Sequence, residues 1–416
     1  MELKRVVVTG IGALTPIGNT ADEYWNGLIN GVSGADLITL FDASKFKTRF
    51  ACEVKNFDPV QFMDRKEARK IDRFSQFALV VSDEAMADAG LNKDNINPDR
   101  AGVIFGSGIG GITTFQNEVA EFARGDGTPR FSPFFIPKMI LDIAAGHISM
   151  RHNLRGPNFA VVSACATSTN AIIEAFNLLR LGKADIILSG GSESVIIEAG
   201  IGGFNAMKAM SERNDDPRTA SRPYDKDRDG FVMGEAGGIL VLETLDSALA
   251  RGARIYCEVA GGGSTADAYH ITAPHPDGLG ARNVMLAALD DAGMKPEDID
   301  YINTHGTSTP LGDGAEIKAI THVFGEHAYK LNISSTKSMT GHCLGAAGVI
   351  EAIACIKSTV HDIVPPTINH FTDDPSLDPQ LNFTFNKPQK RIVRAALSNT
   401  FGFGGHNAAV IVKKYQ

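Results

Sequence analysis

Three kinds of segment are missing from this sequence. No apolar run reaches the length that crosses a membrane, and the N-terminus offers only Val6–Val8 before Thr9, too short for a secretory signal. The zinc-type spacings of cysteine and histidine are absent, and so is the HExxH pattern. Lys and Arg number 40 against 48 Asp and Glu, which leaves a net charge of −8. We therefore expect no membrane span, no metal site and no nucleic-acid partner.

Cysteine is scarce as well. The five cysteines are odd in number and follow no spacing typical of a disulfide framework. Unpaired thiols are typical of reducing compartments, so we expect a cytoplasmic protein. The composition is otherwise ordinary, with 43% hydrophobic and 21% charged residues over 416 positions, enough for one large or two medium domains.

The sequence contains an internal repeat. The segment DAGLNKDNI, residues 88–96, recurs as DAGMKPEDI, residues 291–299, and each precedes a predicted strand and a glycine turn. Further along, FVMGEAGGILVLE, residues 231–243, is matched by FGFGGHNAAVIVKK, residues 401–414. Two matches in the same order predict a duplicated α/β unit, with halves at residues 1–255 and 256–416. Strands that alternate with helices are typical of largely parallel sheets, and duplicated halves often build a site between them.

Two glycine-rich turns and one serine motif resemble known sites only in part. GSGIGG, residues 106–111, fits GxGxxG, but no second strand ending in Asp or Glu follows it. Gly10 and Gly12 lack the third glycine of that pattern. GGSES, residues 190–194, misses GxSxG because Ser194 holds the last position. The sequence therefore disfavours both a dinucleotide site and a serine hydrolase.

Cys165 stands where a predicted strand gives way to a helix. Residues 159–164 form a short apolar run of strand length, and apolar residues then recur at helical spacing from Ile172 to Leu179. We therefore place Cys165 at a helix N-terminus, where unpaired N–H groups and the helix dipole favour a thiolate. A lowered thiol pKa there suits a nucleophile. A small buried hydrophobe is the alternative role for a free cysteine.

Two of the eleven histidines sit at predicted strand ends. His305 follows a predicted strand at residues 301–304, and His342 lies between a predicted strand at residues 333–337 and a helix. In doubly wound α/β sheets, catalytic groups gather beyond the carboxyl ends of strands, where Cys165 also lies. Either histidine alone could be a hydrogen-bonded structural imidazole. Together with Cys165, they predict one site.

The motifs around these three residues extend along the whole chain. They are, in order, VTGIGALTPIGN, GSGIGG, SPFFIP, SACATSTN, RNDDPRTASRPYDKDRDGFVMGE, DAYHIT, HGTSTPLGD, TKSMTGHCLGAAG and NTFGFGGHN. In these motifs the sequence resembles the β-ketoacyl-acyl-carrier-protein synthases of the thiolase superfamily, above all the elongating type II enzymes of fatty-acid synthesis. So many ordered matches do not arise by chance.

The resemblance implies a fold, a reaction and a partner. The fold would be the five-layered αβαβα thiolase-like arrangement, built from the two halves, in a homodimer. The reaction would be a decarboxylative Claisen condensation in fatty-acid elongation. In it, an acyl chain on Cys165 reacts with malonyl-acyl-carrier protein to give 3-oxoacyl-acyl-carrier protein, CO2 and free carrier protein, while His305 and His342 donate to the enolate oxygen. No cofactor is implied beyond the phosphopantetheine of the partner, acyl-carrier protein.

Single residues separate the sequence from other members of the superfamily. Thiolases carry a second catalytic cysteine near the C-terminus, and no cysteine follows Cys355. Initiating synthases have asparagine where this sequence has His342, and chain-length factors have glutamine in place of Cys165. A polyketide-type ketosynthase, which shares all three site residues, and a non-catalytic acyl-binding partner subunit remain alternatives.

The resemblance also implies supporting residues. Lys337 and Glu351 would assist the histidines electrostatically and structurally. Phe401 would gate the site, and its backbone N–H, with that of Cys165, would hold the tetrahedral oxyanion. The implied substrate-binding residues are Ile109, Phe204, Thr307 and Thr309.

A basic segment offers a docking surface. DRKEARKIDR, residues 64–73, predicts a helix with a basic face on an acidic protein. From the residues alone, a solvated helix face is the simpler interpretation. Because carrier proteins are strongly acidic, the resemblance makes this face a candidate docking surface. The implied contacts are Lys66, Arg69, Lys70, Arg130 and Lys208, with Arg73 completing the basic face.

Overall fold

The first strand shows how the sequence builds the sheet. Its nine residues, VVVTGIGAL, are all buried, which is typical of a strand covered by helices on both faces. The computed structural model describes residues 3–416 of the chain. The strands are β1 (Val6–Leu14), β2 (Asp36–Leu37), β3 (Phe50–Ala51), β4 (Ala101–Gly106), β5 (Asn158–Phe159), β6 (Ile186–Glu193), β7 (Ala236–Thr244), β8 (Cys257–Ala266), β9 (Tyr301–Asn303), β10 (Asn332–Ser334), β11 (Ile363–Val364), β12 (Gln389–Lys390), β13 (Ala395–Gly402) and β14 (His406–Lys413).

The α-helices alternate with these strands. They are α1 (Ala21–Ile29), α2 (Arg65–Ala68), α3 (Arg73–Asp88), α4 (Ile112–Arg124), α5 (Phe135–Met139), α6 (Ile143–His152), α7 (Thr167–Arg180), α8 (Glu198–Ala206), α9 (Leu245–Ala250), α10 (Leu279–Ala292), α11 (Pro310–Phe324), α12 (Lys337–Thr340) and α13 (Ala347–His361). Short 3-10 turns precede the two central helices, at Ala164–Ala166 before α7 and at Leu344–Ala346 before α13.

The two halves of the chain have the same strand order. It is β1-β7-β6-β4-β5 in the N-terminal half and β8-β14-β13-β9-β10 in the C-terminal half. In each half the first two pairs are antiparallel and the last two are parallel. β1 and β8 pair antiparallel and join the half-sheets. The repeat in the sequence thus corresponds to a repeat in topology, and residue 255 falls between α9 and β8.

The helices form three layers around the two half-sheets. α3 and α6 pack on the outer face of the N-terminal half-sheet, and α10 and α11 form the outer layer of the C-terminal one. α7 and α13 lie between the half-sheets and contact strands of both. One buried apolar core lies under each outer helix layer, and a third surrounds the central helices between the half-sheets. The predicted five-layered αβαβα fold is confirmed.

One apolar segment is longer than the sequence analysis allowed. Leu344–His361 has the length and composition of a membrane-crossing helix, so the expectation that no run reaches that length is wrong. In the structure, 89% of this segment is buried between the half-sheets. Its apolar character therefore follows from its place as the central helix of the fold.

Two predicted strands are shorter than expected. β5 covers only the first part of the predicted strand at residues 159–164, and β10 ends at Ser334, after which α12 begins at Lys337. Both strands lie at the ends of the ten-stranded sheet. A strand there has one neighbour to hold it extended, so the chain leaves the ladder sooner.

Candidate active site

Cys165 lies in the tight turn that precedes helix α7. Ala164 has a φ of 51°, a left-handed conformation that is costly for a residue with a side chain and that clusters at functional turns. The Ser163 N–H donates to Thr167 Oγ1 at 2.9 Å and closes the turn. The sulfur is therefore presented two residues before the first residue of a 14-residue helix.

Both histidines come from the C-terminal half of the chain, and His342 contacts Cys165. His342 Nε2 lies 3.0 Å from Cys165 Sγ, and the His342 backbone N–H is held by Val232 O at 2.7 Å. The ring of His305 stands perpendicular to that of His342, at 89°, with centroids 5.3 Å apart. The structure thus brings together the three residues that the sequence analysis grouped into one site.

Burial sets the charge state of the site. It raises the pKa of the Cys165 thiol to about 12, against the opposing charge of Lys337. The expected lowering of this pKa is wrong, and the resting thiol is neutral. Burial, and then the charge of Lys337, hold the pKa of His305 and of His342 well below 6.5. The Nδ1 atom of each ring has no hydrogen-bond partner within residues 3–416, so either ring nitrogen can carry the proton.

A buried ion pair and a second carboxylate support the histidines. Lys337 and Glu351 form a salt bridge in which each side chain is 1% exposed. Burial raises the pKa of Glu351 to about 7, against the charge of Lys337. Glu316 accepts the backbone N–H groups of His305 and Gly306 at 2.9 Å each, which fixes the turn that carries His305. Lys337 is the charged side chain that these histidines share.

The three residues open into one cleft of about 570 Å³. Ile109 and Phe204 line it and belong to the apolar cluster that packs around Cys165. Thr307 and Thr309 also line it, with their hydroxyl oxygens 3.1 Å apart. An apolar wall accommodates an alkyl chain, and paired hydroxyls can hydrogen-bond a polar arm.

The glycine-rich loop after Thr400 closes over the nucleophile. The ring of Phe401 lies 5.4 Å from that of His305. The backbone N–H of Phe403 in the same loop acts to lower the pKa of the Cys165 thiol, against the larger effect of burial. A Cβ at Gly402 would lie 2.6 Å from Ser163 O, so the loop reaches the turn only because this residue is glycine.

The predicted basic helix is two helices with a bend between them. α2 ends at Ala68 and α3 begins at Arg73, which turns inward and pairs with buried Glu235 at 2.6 Å. Asp72 caps α3 and accordingly interrupts the helix. Arg73 is thus lost from the basic face. The remaining docking candidates Lys66, Arg69, Lys70, Arg130 and Lys208 are all exposed.

The docking candidates lie on three exposed segments of the chain. Lys208 lines the cleft itself. Lys70 Nζ sits 5.3 Å from the centre of the Phe134 ring, on the segment that also carries Arg130. These contacts connect the α2 bend to the segment before α5.

Sequence reasoning missed three residues: Phe403 and Glu316, which line the cleft, and Glu193, whose buried carboxylate accepts from the N–H of Gly108 in the cleft lining. Phe403 was overlooked because only the first phenylalanine of the glycine-rich loop drew attention. Glu193 lay inside GGSES, which was considered only for its serine. A buried carboxylate at the end of an apolar strand was the signal that could have found it.

A cysteine and two histidines in one cleft of a thiolase-like fold define a class of condensing enzymes. The sequence matches the family model "Beta-ketoacyl synthase, N-terminal domain" over residues 3–248 and "Beta-ketoacyl synthase, C-terminal domain" over residues 256–371. The chain belongs to the β-ketoacyl synthase family.

Two curated relatives resemble the chain over its whole length. It is 51% identical to 3-oxoacyl-[acyl-carrier-protein] synthase 2 of Synechocystis over 100% of this chain and 99% of the relative. It is also 51% identical to the protein of that name from Staphylococcus aureus strain N315 over 99% of each.

Solved structures of ketosynthases share the fold. A β-ketoacyl synthase from Burkholderia phymatum superposes with a TM-score of 0.92 and 33% identity, over 99% of this chain and 100% of that one. A type II polyketide ketosynthase, solved in complex with its acyl-carrier protein, gives a TM-score of 0.91 and 32% identity over 99% and 100% of the two chains.

Proposed function

We propose that the protein elongates acyl chains by decarboxylative Claisen condensation with malonyl-acyl-carrier protein. The observation that carries the proposal is the convergence of Cys165, His305 and His342 in one cleft. The products are 3-oxoacyl-acyl-carrier protein, CO2 and free carrier protein. Whole-chain relatives named for this activity support the reaction class. Both substrates arrive on phosphopantetheine, and the reaction uses no other cofactor.

Cys165 accepts the acyl chain in the first half-reaction. Its sulfur attacks the thioester carbonyl, the bond to the pantetheine sulfur breaks, and the thiol proton ends on that leaving sulfur. His342 Nε2, 3.0 Å from Sγ, is the group placed to relay the proton. The Phe403 N–H and the positive end of α7 stabilise the charge that develops on the Cys165 sulfur.

His305 and His342 serve the second half-reaction. The bond between the malonyl carbon and its carboxylate breaks, CO2 leaves, and the electron pair forms an enolate. Neutral imidazoles can donate hydrogen bonds to the enolate oxygen without first losing a proton, and burial strengthens these bonds. Each such donor typically contributes about 10²–10³ in rate.

The enolate carbon then attacks the acyl carbonyl on Cys165. The tetrahedral adduct collapses, the thioester to Cys165 breaks, and the new carbon–carbon bond remains on the carrier protein. The freed thiolate takes a proton from solvent because its pKa is raised to about 12. The balance is one CO2 released and one proton consumed.

The partner is acyl-carrier protein, docked on the exposed cations. Lys66, Arg69 and Lys70 flank the bend after α2, and Lys208 lines the cleft. Complementary charge steers an acidic partner and orients its arm toward the opening. The solved complex of a similar ketosynthase with its own acyl-carrier protein supports a carrier protein as the partner.

We further propose a cytoplasmic homodimer. The edge strand β5 is exposed, and Phe159 on it is 40% exposed. Exposed apolar side chains continue along α4 and the segment after it, including Phe115, Phe122 and Phe131. An open strand edge and a group of exposed aromatic rings each fit contact with a second copy of the chain. The free, buried state of all five cysteines fits a reducing compartment.

A polyketide-type ketosynthase is the second candidate. It is favoured by the high TM-score to a type II polyketide ketosynthase at 32% identity, and a ketosynthase/chain length factor at 36% identity also shares the fold. The fatty-acid relatives are more similar in sequence, at 51%. The two candidates differ in product, since a polyketide enzyme would extend its own 3-oxo product repeatedly.

The proposed function is tested by one incubation of the full chain. Carrier protein loaded with an acyl chain and malonyl-acyl-carrier protein are supplied together, and the enzyme and products are analysed by mass spectrometry. We expect an acyl adduct on Cys165 and a 3-oxoacyl product extended by one round. Absence of the adduct would instead indicate a non-catalytic acyl-binding subunit, and products extended by several rounds would indicate a polyketide enzyme.

A further inference from the structure

Glu193 is a fully buried carboxylate near the nucleophile that none of the steps above uses. It ends strand β6 and is 0% exposed. Burial raises the pKa of Glu193, and hydrogen bonds from one hydroxyl and three backbone N–H groups, rather than a cationic side chain, oppose that rise in the part of the chain that the structure describes. A buried charge that is held only by oriented hydrogen-bond donors fixes the positions of the chain segments that carry those donors.

The two oxygens of Glu193 accept four hydrogen bonds. Oε1 accepts from Ser107 Oγ at 2.7 Å and from the Ile109 N–H at 3.2 Å. Oε2 accepts from the Gly108 N–H at 2.7 Å and from the Gly345 N–H at 3.0 Å. All four partners donate, so the ionised carboxylate satisfies them all, whereas a group carrying its own hydrogen cannot.

These donors come from both halves of the chain. Gly345 lies in the turn before α13, and the corresponding turn before α7 carries Cys165. A Cβ at Gly345 would lie 2.3 Å from the Gly108 nitrogen, and a Cβ at Gly108 would lie 3.4 Å from Ala164 O. The carboxylate therefore stands where the Gly108 segment meets the turns before both central helices.

The same segments carry two walls of the cleft. Ile109 follows Gly108, and Leu344 precedes Gly345. Both side chains line the cleft and belong to the apolar cluster that contains Cys165. Leu344 has a φ of 44°, which is a costly conformation. The hydrogen bond that the next residue, Gly345, donates to Glu193 helps to hold it.

We propose that Glu193 is a positioning residue that sets the distance of the Ile109 and Leu344 walls from Cys165 and thereby determines which acyl chains the pocket accepts. This inference rests on the proposed function and deepens it. A long alkyl chain has to pass between both walls, whereas a short one leaves them largely uncontacted. Weakening the hydrogen bonds of the Glu193 carboxylate should therefore slow the reactions of long acyl chains more than those of short ones.

The decisive variant is Glu193→Gln, which keeps size and shape but presents an amide NH2 to groups that are themselves donors. The matched control is Glu243→Gln. Glu243 is also 0% exposed, but it lies in β7, outside the cleft lining, and accepts from Thr9, Ser247 and Arg251. Both changes remove a buried carboxylate, and only Glu193→Gln removes one that holds residues of the cleft lining.

Two readouts are compared for short and long saturated chains. The first is kcat/KM for acyl transfer from acyl-carrier protein to Cys165. The second is the rate at which N-alkyl iodoacetamides of short and long alkyl chain label Cys165. In Glu193→Gln we expect the long-chain value to fall at least about tenfold more than the short-chain value in both readouts. A difference of this size lies within the free energy that is lost when hydrogen bonds to a charged group are removed. Glu243→Gln should leave both ratios unchanged.

An equal loss for short and long chains in Glu193→Gln, or the same change of ratio in Glu243→Gln, would show that Glu193 is merely structural. If Glu193→Gln does not fold, Ser107→Ala decides, because it removes one of the four donors. A smaller loss that is still selective for long chains supports the proposal, and a uniform loss overturns it. The ratio of long-chain to short-chain alkylation needs no carrier protein. If the proposed function fails, acyl transfer is absent in the wild type, but the alkylation ratio can still be measured.

Discussion

His342 Nε2 lies 3.0 Å from Cys165 Sγ, and the two residues come from opposite halves of a duplicated chain. Cys165 lies in the turn before α7, and His342 lies two residues before the corresponding turn that precedes α13. These two central helices pack on each other between the half-sheets. The site is therefore assembled by the same packing that forms the core, and it exists only when both halves are folded together.

The raised thiol pKa predicts how Cys165 reacts with iodoacetamide. Since the pKa is about 12, the thiolate fraction grows about tenfold for each pH unit up to that value. Alkylation of Cys165 should therefore keep rising between about pH 7 and pH 10, without a plateau. Cys165 should also be labelled first, because it alone of the five cysteines lines the cleft. Peptide mass mapping measures the rate at which Cys165 is alkylated at each pH. A plateau of that rate near neutral pH would instead reveal an activated thiolate.

Lys337→Met should move the pH dependence of acyl transfer. The charge of Lys337 helps to lower the pKa of His342, so its removal raises that pKa toward 6.5. A protonated His342 cannot accept the Cys165 proton, and the acid limb of the rate profile should shift toward neutral pH. The change should also cost about 3–5 kcal/mol of stability, because it leaves Glu351 buried and unpaired.

The control for this variant is Lys357→Met. Lys357 is also a buried lysine, on α13, but it pairs with Asp22 and has no part in the pKa of either site histidine. It should lower stability without moving the acid limb. The rate of acyl transfer is measured at each pH from the mass of the acyl-enzyme. The same pH profile for both variants would refute the electrostatic role of Lys337.

Charge reversal of Lys66, Arg69 and Lys70 to glutamate should raise the KM for carrier-bound substrates. The effect should be larger at low salt, since exposed charges are screened within roughly 10 Å at 0.1 M ionic strength. Reaction with small thioesters should stay nearly unchanged. Reversal of three other exposed lysines outside the cleft lining serves as the control for net charge: Lys93, Lys387 and Lys390. A loss shared by both substrate types would mark the basic patch as structural.

Replacement of Phe115 and Phe131 by aspartate should give a monomer. Both rings are exposed, at 47% and 40%, and a charge in a buried apolar interface is strongly unfavourable. Sedimentation velocity should show the loss of a dimer. Leu249→Asp, at a 57% exposed position on α9, should leave the dimer intact. A wild-type monomer would contradict the proposal outright.

The sequence predicted the repeat and the site better than it predicted element boundaries. Ordered motifs placed Cys165, His305 and His342 at strand ends, and topology alone brings such ends together. The break between α2 and α3 was missed because the prediction used only the spacing of the charged residues. That spacing does not show that Asp72 caps a new helix.

The sequence also misjudged the nucleophile's ionisation. Position at a helix N-terminus argued for a lowered pKa, whereas burial at 7% exposure raises it. Burial depends on how β13 and its loop fold over the turn, which comes from sequence-distant contacts such as Gly402 on Ser163. Glu193 escaped notice for the same reason, because all four of its donors lie 84 to 152 residues away from it in sequence.

The central claim is that Cys165 carries the acyl chain while His305 and His342 stabilise the enolate. It is tested most directly by following CO2 release and acyl-enzyme mass separately in Cys165→Ala, His305→Ala and His342→Ala. In Cys165→Ala, condensation should vanish while decarboxylation of malonyl-acyl-carrier protein persists. Each histidine change should slow decarboxylation by about 10²-fold or more. His305→Ala should still form the acyl-enzyme, and His342→Ala should lose part of that step as well, since it removes the proton relay. If Cys165→Ala alone abolishes decarboxylation, or if neither histidine change slows it, this division of labour is wrong.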